Sequence, residues 1–346
     1  MRIAIVTDAW KPQVNGVVQT LTKTSEELQR LGHEVEMVTP LGRRSIPCPT
    51  YPEIRLSILA GRSVRRQLDE FDPDCVHIAT EGPLGLAARR YCHKRKLPFT
   101  TAYHTQFPEY VRARFPIPIK LTNRLLLWFH RTAAYTMVPT DAIRRKLIGR
   151  GFRNVVIWSR GVDTETFTPD DPLQYDLPRP IWIYMGRVSV EKNIEEFLDL
   201  NLEGSKIIIG DGPDKRRLEK RYPECDFLGY RFGKELARYL AGGDVFVFPS
   251  KTDTFGLVML EAMACGLPVA ALPVDGPIDV IRNGETGIMN EDLRVACEQA
   301  RKLFWEDCRR FAEKRSWRHS TLQFENYLVP RTRPMASVQP VSSASR

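Results

Sequence analysis

Two carboxylates bracket a single turn. In the stretch Pro249-Ser250-Lys251-Thr252-Asp253-Thr254-Phe255-Gly256-Leu257-Val258-Met259-Leu260-Glu261, one acid precedes a predicted helix and a second follows eight residues later. The run 244–248, Asp244 followed by four apolar residues, reads as a strand that Pro249 ends. Thr254 has the chemistry of an N-cap, and Gly256 keeps the first turn open. The first N–H groups of a helix lack internal partners and lie at the positive end of its dipole. Gly256, Leu257 and Val258 could therefore seat a phosphate. Asp253 would lie just outside that seat and Glu261 about two turns deeper. One acid could then meet a sugar on one side of a diphosphate, and the other a ribose on the opposite side. An ordinary strand–turn–helix with a solvated Glu261 has the same pattern.

Three further segments carry matching chemistry. Gly186-Arg187-Val188-Ser189-Val190-Glu191-Lys192 follows a second predicted strand, 181–185. Arg187 offers a planar fork of donors and Lys192 a point charge, a pair suited to a diphosphate. Gly16 opens the first predicted helix, where a missing side chain lets backbone N–H groups approach a phosphate or sugar oxygen. A tight turn explains a lone glycine equally well. His104, in Tyr103-His104-Thr105, closes a strand at its carboxyl end, whereas His77 reads as core. The three-glycine fingerprint of dinucleotide oxidoreductases is absent, and Gly210-Asp211-Gly212-Pro213 reads as a tight turn.

These residues need a scaffold. Strand-like runs (2–7, 34–39, 75–79, 98–103, 135–138, 155–158) alternate with helical ones, and the cycle restarts after a polar link at about 163–180. The alternation predicts α/β architecture: two Rossmann-like domains with parallel sheets facing a cleft, ligands lying at the carboxyl ends of the strands. Domain one spans 1–165 and domain two 166–315. A helix at 316–329 crosses back, and 330–346 forms a disordered tail. With 346 residues, 42% hydrophobic and 27% charged, the chain is expected to be globular. No apolar run approaches the roughly 20 residues needed to span a bilayer, and the N-terminus reads as a strand. Seven cysteines at 48, 75, 92, 225, 265, 297 and 308 show no zinc or redox spacing, and no metal or other cofactor is expected. Cys75 and Cys265 read as buried thiols, and a reducing cytoplasm follows. Asp72-Pro73-Asp74 sits where a turn is expected and reads as structural.

The charge is lopsided. The chain carries +9 overall, yet 89–153 alone holds 15 Lys and Arg against the acids Glu109 and Asp141. Such a surplus points to an anionic partner. Within it, Phe115 to Met137 interleaves leucines, Trp128 and Phe129 with Lys120, Arg124 and Arg131. A helix of that kind can lie in a bilayer interface, its bases drawn to anionic lipid. It can equally pack on the core with a solvated basic face. No nucleic-acid motif accompanies the basic surface, so no nucleic-acid partner is expected.

The acid pair, with the Gly16, Arg187–Lys192, Gly210 and His104 segments, resembles the retaining glycosyltransferase family 4, whose signature is Glu, seven residues, Glu. Here the first acid is Asp253, one methylene shorter. The resemblance covers most of the chain and implies a GT-B fold and a nucleotide-sugar donor. It also implies that Arg187 and Lys192 hold the pyrophosphate, Glu261 the ribose, and Asp253 and His104 the sugar. The base would lie near Gly229–Tyr230–Arg231. Retention implies front-face attack in which the leaving diphosphate helps deprotonate the acceptor. The Thr252–Gly256 run resembles bacterial members that make diacylglycerol glycolipids. The expectation is therefore a hexosyltransferase moving a hexose or hexuronic acid from a UDP-sugar to diacylglycerol, peripheral on the cytoplasmic face of the cell membrane. A family 4 enzyme acting on polysaccharide or lipid-linked oligosaccharide, a GT-B sugar-nucleotide epimerase and a non-catalytic nucleic-acid-binding protein are the competing readings.

Overall fold

A computed structural model describes residues 1–48, 51–106 and 118–331. Glu109, the start of the basic segment at 115–117 and the tail from 332 onward lie outside the described residues. The first sheet contains β1 (Arg2–Val6), β2 (Glu34–Val38), β5 (Cys75–Ile78), β6 (Thr100–Ala102), β7 (Thr136–Val138) and β8 (Val155–Ile157). Between β2 and β5 lies an antiparallel hairpin, β3 (Ser45–Cys48) and β4 (Tyr51–Ser57), which the alternation did not foretell. The second sheet contains β9 (Ile181–Met185), β10 (Ser205–Ile209), β11 (Asp226–Gly229), β12 (Val245–Phe248), β13 (Val269–Ala271) and β14 (Gly287–Met289). The orders are β2-β1-β5-β6-β7-β8 and β11-β10-β9-β12-β13-β14, and every pair within them is parallel.

Helices cover both faces of each sheet, so the central strands are apolar along their whole length. In β9 all five residues of Ile-Trp-Ile-Tyr-Met are buried. Strand order reverses beside β1 in one sheet and beside β9 in the other. A parallel sheet opens a crevice at the carboxyl ends of such strands. The chain leaving β9 is the Gly186–Lys192 segment, and the chain leaving its neighbour β12 is the acidic loop 249–256. Topology alone thus brings the two phosphate-binding candidates of this domain together.

After the second sheet the chain returns to the first. Val162 N donates to Arg315 O at 2.8 Å, so the outgoing and returning strands of the link run side by side. A Cβ on Gly161 would lie 2.4 Å from Trp317 N, leaving room only for glycine. The helix Trp317–Tyr327 then packs on β1 and β5. Its Phe324 is fully buried, with ring centroids 4.8 Å from His77 and 4.7 Å from Trp158. Ser159 N donates to Gln323 Oε1 at 3.0 Å, and Arg331 Nη2 donates to Asp72 Oδ2 at 3.0 Å. Asp74 accepts from Arg2 N at 2.8 Å, so both acids of the Asp72-Pro73-Asp74 turn serve the fold. Cys75 and Cys265 are buried thiols and His77 is fully enclosed.

Removing the Phe324 ring leaves a cavity among His77, Trp158 and Leu328. Phe324→Ala is expected to cost about 3–5 kcal/mol in denaturant unfolding. A change under about 1 kcal/mol would show that the terminal helix is not part of the first domain's core.

Candidate functional site

The acidic loop is built around one residue that must lack a side chain. Gly256 adopts φ 82°, ψ 68°, and a Cβ there would meet Met259 Cε at 2.7 Å and Phe248 Cζ at 2.9 Å. The helix Leu257–Ala264 starts directly after it with no side-chain cap. Thr254 is therefore not the N-cap that its position suggested. Its hydroxyl instead donates to His104 O at 2.7 Å, and its carbonyl accepts from Thr140 Oγ1 at 3.4 Å. With Gly256 in the capping position, the first turn keeps its dipole and presents backbone to the crevice.

Lys192 and Asp253 come together. Lys192 Nζ lies 2.6 and 2.8 Å from the two carboxylate oxygens of Asp253. The loops that carry them are stitched by two more bonds, Asn193 Nδ2 to Pro249 O at 3.0 Å and Thr252 Oγ1 to Glu191 O at 3.3 Å. Arg187 is half-buried on the same loop as Lys192, its carbonyl accepting from Tyr184 Oη at 2.7 Å. The cations that sequence reading assigned to a diphosphate thus share one loop, and one of them holds the acid assigned to a sugar.

Glu261 is 6% exposed, on the face of its helix that meets the first domain. Gln19 Nε2 donates to it at 2.6 Å. Burial pushes its carboxyl up to about 7, partly offset by the Gln19 bond and aided by the negative charge of Asp163. Gly16 sits one turn before Gln19. A Cβ on it would lie 3.3 Å from Leu257 Cδ1, so the glycine lets the two helices approach. The N–H groups of Val17 and Val18 already donate to Asn15 Oδ1 at 3.0 Å, which occupies two donors of the anion seat expected at Gly16.

His104 lies two residues beyond β6. Its Nδ1 faces Arg160 Nη2 at 3.2 Å, its ring meets Trp158 edge-on at 5.7 Å, and its Nε2 is buried without a hydrogen-bond partner. Burial, then the charge of Arg160, then His77 hold its pKa well below the usual 6.5. The ring is neutral at pH 7. Because Nδ1 accepts from a guanidinium, the tautomer that fits carries its proton on Nε2.

Gln19, Arg160 and Lys146 were not singled out in the sequence. Gln19 had a signal: it shares a helix face with Gly16. Lys146 reaches across the cleft to Asp275 at 2.9 Å, and nothing local announces that contact. On the helix Ile119–His130 and its C-cap Arg131, Lys120, Arg124, Trp128 and Arg131 are exposed, but Phe129 is 2% exposed in the first domain's core. Phe129 therefore faces away from any bilayer, a correction to the expected contact set. Trp128 lies under the Arg89 guanidinium, 4.0 Å from the ring centroid. Among the described residues no cluster of His, Cys, Asp and Glu could hold a metal ion.

The profile of Glycosyltransferase Family 4 matches residues 14–166, and that of Glycosyl transferases group 1 matches residues 179–304. The chain is 34% identical to the GDP-mannose-dependent alpha-mannosyltransferase of Mycobacterium tuberculosis, over 84% of this chain and 83% of that one. It is 33% identical to the sulfoquinovosyl transferase SQD2 of Arabidopsis thaliana, over 86% of this chain and 67% of that one. Identity to the alpha-monoglucosyldiacylglycerol synthase of Acholeplasma laidlawii is 28%, over 85% and 86%. Among solved structures, sucrose-phosphate synthase from Thermosynechococcus elongatus superposes with a TM-score of 0.72 at 19% identity, covering 94% of this chain and 97% of that one.

The raised carboxyl of Glu261 has a signed consequence. A folded-state pKa above the ordinary 4.5 means that the native state holds the proton longer than the unfolded chain. Stability contributed by this group is therefore lost as pH rises from about 4.5 to about 7. Glu261→Gln removes the titration, so its unfolding free energy relative to wild type is expected to rise across that window and level off above it. A pH-independent difference would mean that Glu261 is not held in a water-poor site.

Proposed function

Because the chain belongs to glycosyltransferase family 4 and is a hexosyltransferase with the GT-B fold, we propose that it moves a hexose or hexuronic acid, with retention, from a UDP-sugar to diacylglycerol or a related lipid. The observation that carries this reading is the Lys192–Asp253 pair at the uncapped start of the helix that bears Glu261. As the glycosidic bond breaks, negative charge grows on the β-phosphate. Donors already aimed at that charge provide the main stabilisation. Arg187, Lys192 and the N–H groups at Gly256, Leu257 and Val258 supply them, in the place of a divalent metal. Glu261 accepts from the ribose and Asp253 from the sugar. The leaving diphosphate takes the acceptor proton, since the cations hold it beside the attacked carbon. His104, neutral and with Nε2–H unengaged, donates to a sugar oxygen and does not act as a base.

The lipid reading rests on the helix Ile119–His130. Leu121, Leu125 and Trp128 follow one another at helical spacing and are 60%, 55% and 42% exposed, flanked by exposed Lys120, Arg124 and Arg131. An apolar stripe rimmed with bases suits an anionic membrane surface, and we propose peripheral association with the cytoplasmic face of the cell membrane. No helix among the described residues is long and apolar enough to cross a membrane. The relative from Acholeplasma laidlawii, by its name, makes a glucosyldiacylglycerol. A GDP-mannose donor is the second reading, favoured by the 34% identity to the mycobacterial mannosyltransferase.

The test is product analysis by mass spectrometry. The protein is incubated with diacylglycerol vesicles and UDP-glucose, UDP-galactose, UDP-glucuronate or GDP-mannose, with chelator present. A glycosylated diacylglycerol from a UDP-sugar is expected. Lys192→Ala is expected to lower kcat at least a hundredfold, about 2.7 kcal/mol of transition-state stabilisation. Near-normal turnover by that variant would remove the site assignment. Nucleotide release without lipid product would keep the transferase and discard the lipid.

A further inference from the structure

One buried charge has no counterpart. Arg160 is 5% exposed, three residues beyond β8, and among the described residues no carboxylate pairs with it. Its Nη1 donates to Trp158 O and to Ser159 O at 3.1 Å, and its Nη2 meets His104 Nδ1 at 3.2 Å. A guanidinium has five N–H groups, so these three bonds leave two, at Nε and Nη2, without an acceptor among the described residues. Stacking on Trp158, 4.4 Å from the ring centroid, fixes the plane of the fork. Burial pushes the group down to about 9, and it remains cationic at neutral pH. A buried cation without an anion is costly, and proteins normally pair it.

The location says where an anion would come from. His104, the group that Arg160 contacts, hands its carbonyl to Thr254, the residue next to Asp253. The fork therefore stands in the first domain, opposite the loop proposed to hold the transferred sugar. The nucleotide diphosphate already has Arg187, Lys192 and a helix terminus in the second domain. Arg160 is the cation that the first domain places against His104.

We propose that Arg160 recognises an acidic sugar, and that a carboxylate or sulfonate on a hexose ring, in donor or acceptor, seats against its Nε–Nη2 edge. A planar fork fits either anion bidentately. This inference rests on the glycosyl-transfer reading and names the chemical class of substrate within it.

The test compares kcat/KM for acidic and neutral sugars in two arms. The donor arm uses UDP-glucuronate against UDP-glucose on diacylglycerol vesicles. The acceptor arm uses vesicles holding glucuronosyl- or glucosyl-diacylglycerol, with each donor that the enzyme transfers, GDP-mannose included. In one arm the wild type is expected to prefer the acid by about tenfold or more, the scale of one charge-assisted hydrogen bond. Arg160→Gln is expected to abolish that preference, and Arg160→Lys to retain part of it. Should Arg160→Gln fail to fold, the Lys variant and the wild-type preference still decide the matter. Efficient transfer between neutral sugars with no acid preference in either arm would overturn the inference and leave the function intact. A preference that Arg160→Gln leaves unchanged would overturn it too, reducing Arg160 to a strut for His104. An equal loss of affinity for free UDP would assign the guanidinium to the diphosphate and likewise overturn it. No transfer from any donor would remove the function and the inference together.

Discussion

The site depends on a backbone turn that no side chain can occupy. Gly256 takes a left-handed conformation between Phe248 and Met259, and its neighbours leave no space for a Cβ. The helix behind it therefore starts abruptly at the carboxyl end of β12, with its positive end bare. The charged residues of the second domain's site are arranged about that end. Asp253 precedes it, Lys192 reaches it from the neighbouring strand's loop, and Glu261 lies deeper on the helix itself. An alanine there would strain the backbone and collide with two buried side chains. The geometry is thus fixed by packing in the core rather than by surface interactions.

The second constraint is that the site is assembled from both halves of the chain. Gln19 meets Glu261, Lys146 meets Asp275, and Asp279 accepts from Ala142 N at the start of a first-domain helix at 2.9 Å. Thr254 bonds the carbonyl of His104. These contacts are polar, and the partly exposed Lys146–Asp275 pair contributes little alone. Together they set the width of the cleft. A ligand that bridges Glu261, Lys192 and His104 must fit between surfaces already held in register by hydrogen bonds. Polar contacts of this kind suit a cleft that must open to exchange substrates.

Much of this was legible in the sequence, and the reasons differ by residue. The apolar runs at 3–6 and 181–185 are unbroken because strands in a parallel sheet are buried on both faces. Asp253 and Glu261 could be placed because a strand, a turn and a helix follow one another without insertion. Local reading failed where a contact spans the fold. Thr254 looks like an N-cap from its neighbours, yet His104, 150 residues away, takes its hydroxyl. Phe129 belongs to an amphipathic stretch, but a helix has two sides and composition does not say which one Val76 and Leu84 will cover. Gly16 was read as an opening for phosphate. Its small size admits Leu257 from the other domain, and Asn15 fills the N–H groups beside it. The hairpin β3–β4 escaped notice because Pro47 and Pro52 interrupt the alternation that marks a strand.

At the centre stands the claim that Lys192 serves a diphosphate while Asp253 serves the sugar, the two pairing with each other when no donor is bound. Calorimetric titration of Asp253→Asn with the nucleoside diphosphate of the active donor, and with the donor itself, tests it most directly. The account predicts that the free diphosphate binds at least as tightly as to wild type, because Lys192 is released from its partner. The intact donor should lose the extra affinity due to its sugar. Equal weakening of both ligands would contradict the account, since Asp253 would then be holding the diphosphate site together and not reading the sugar.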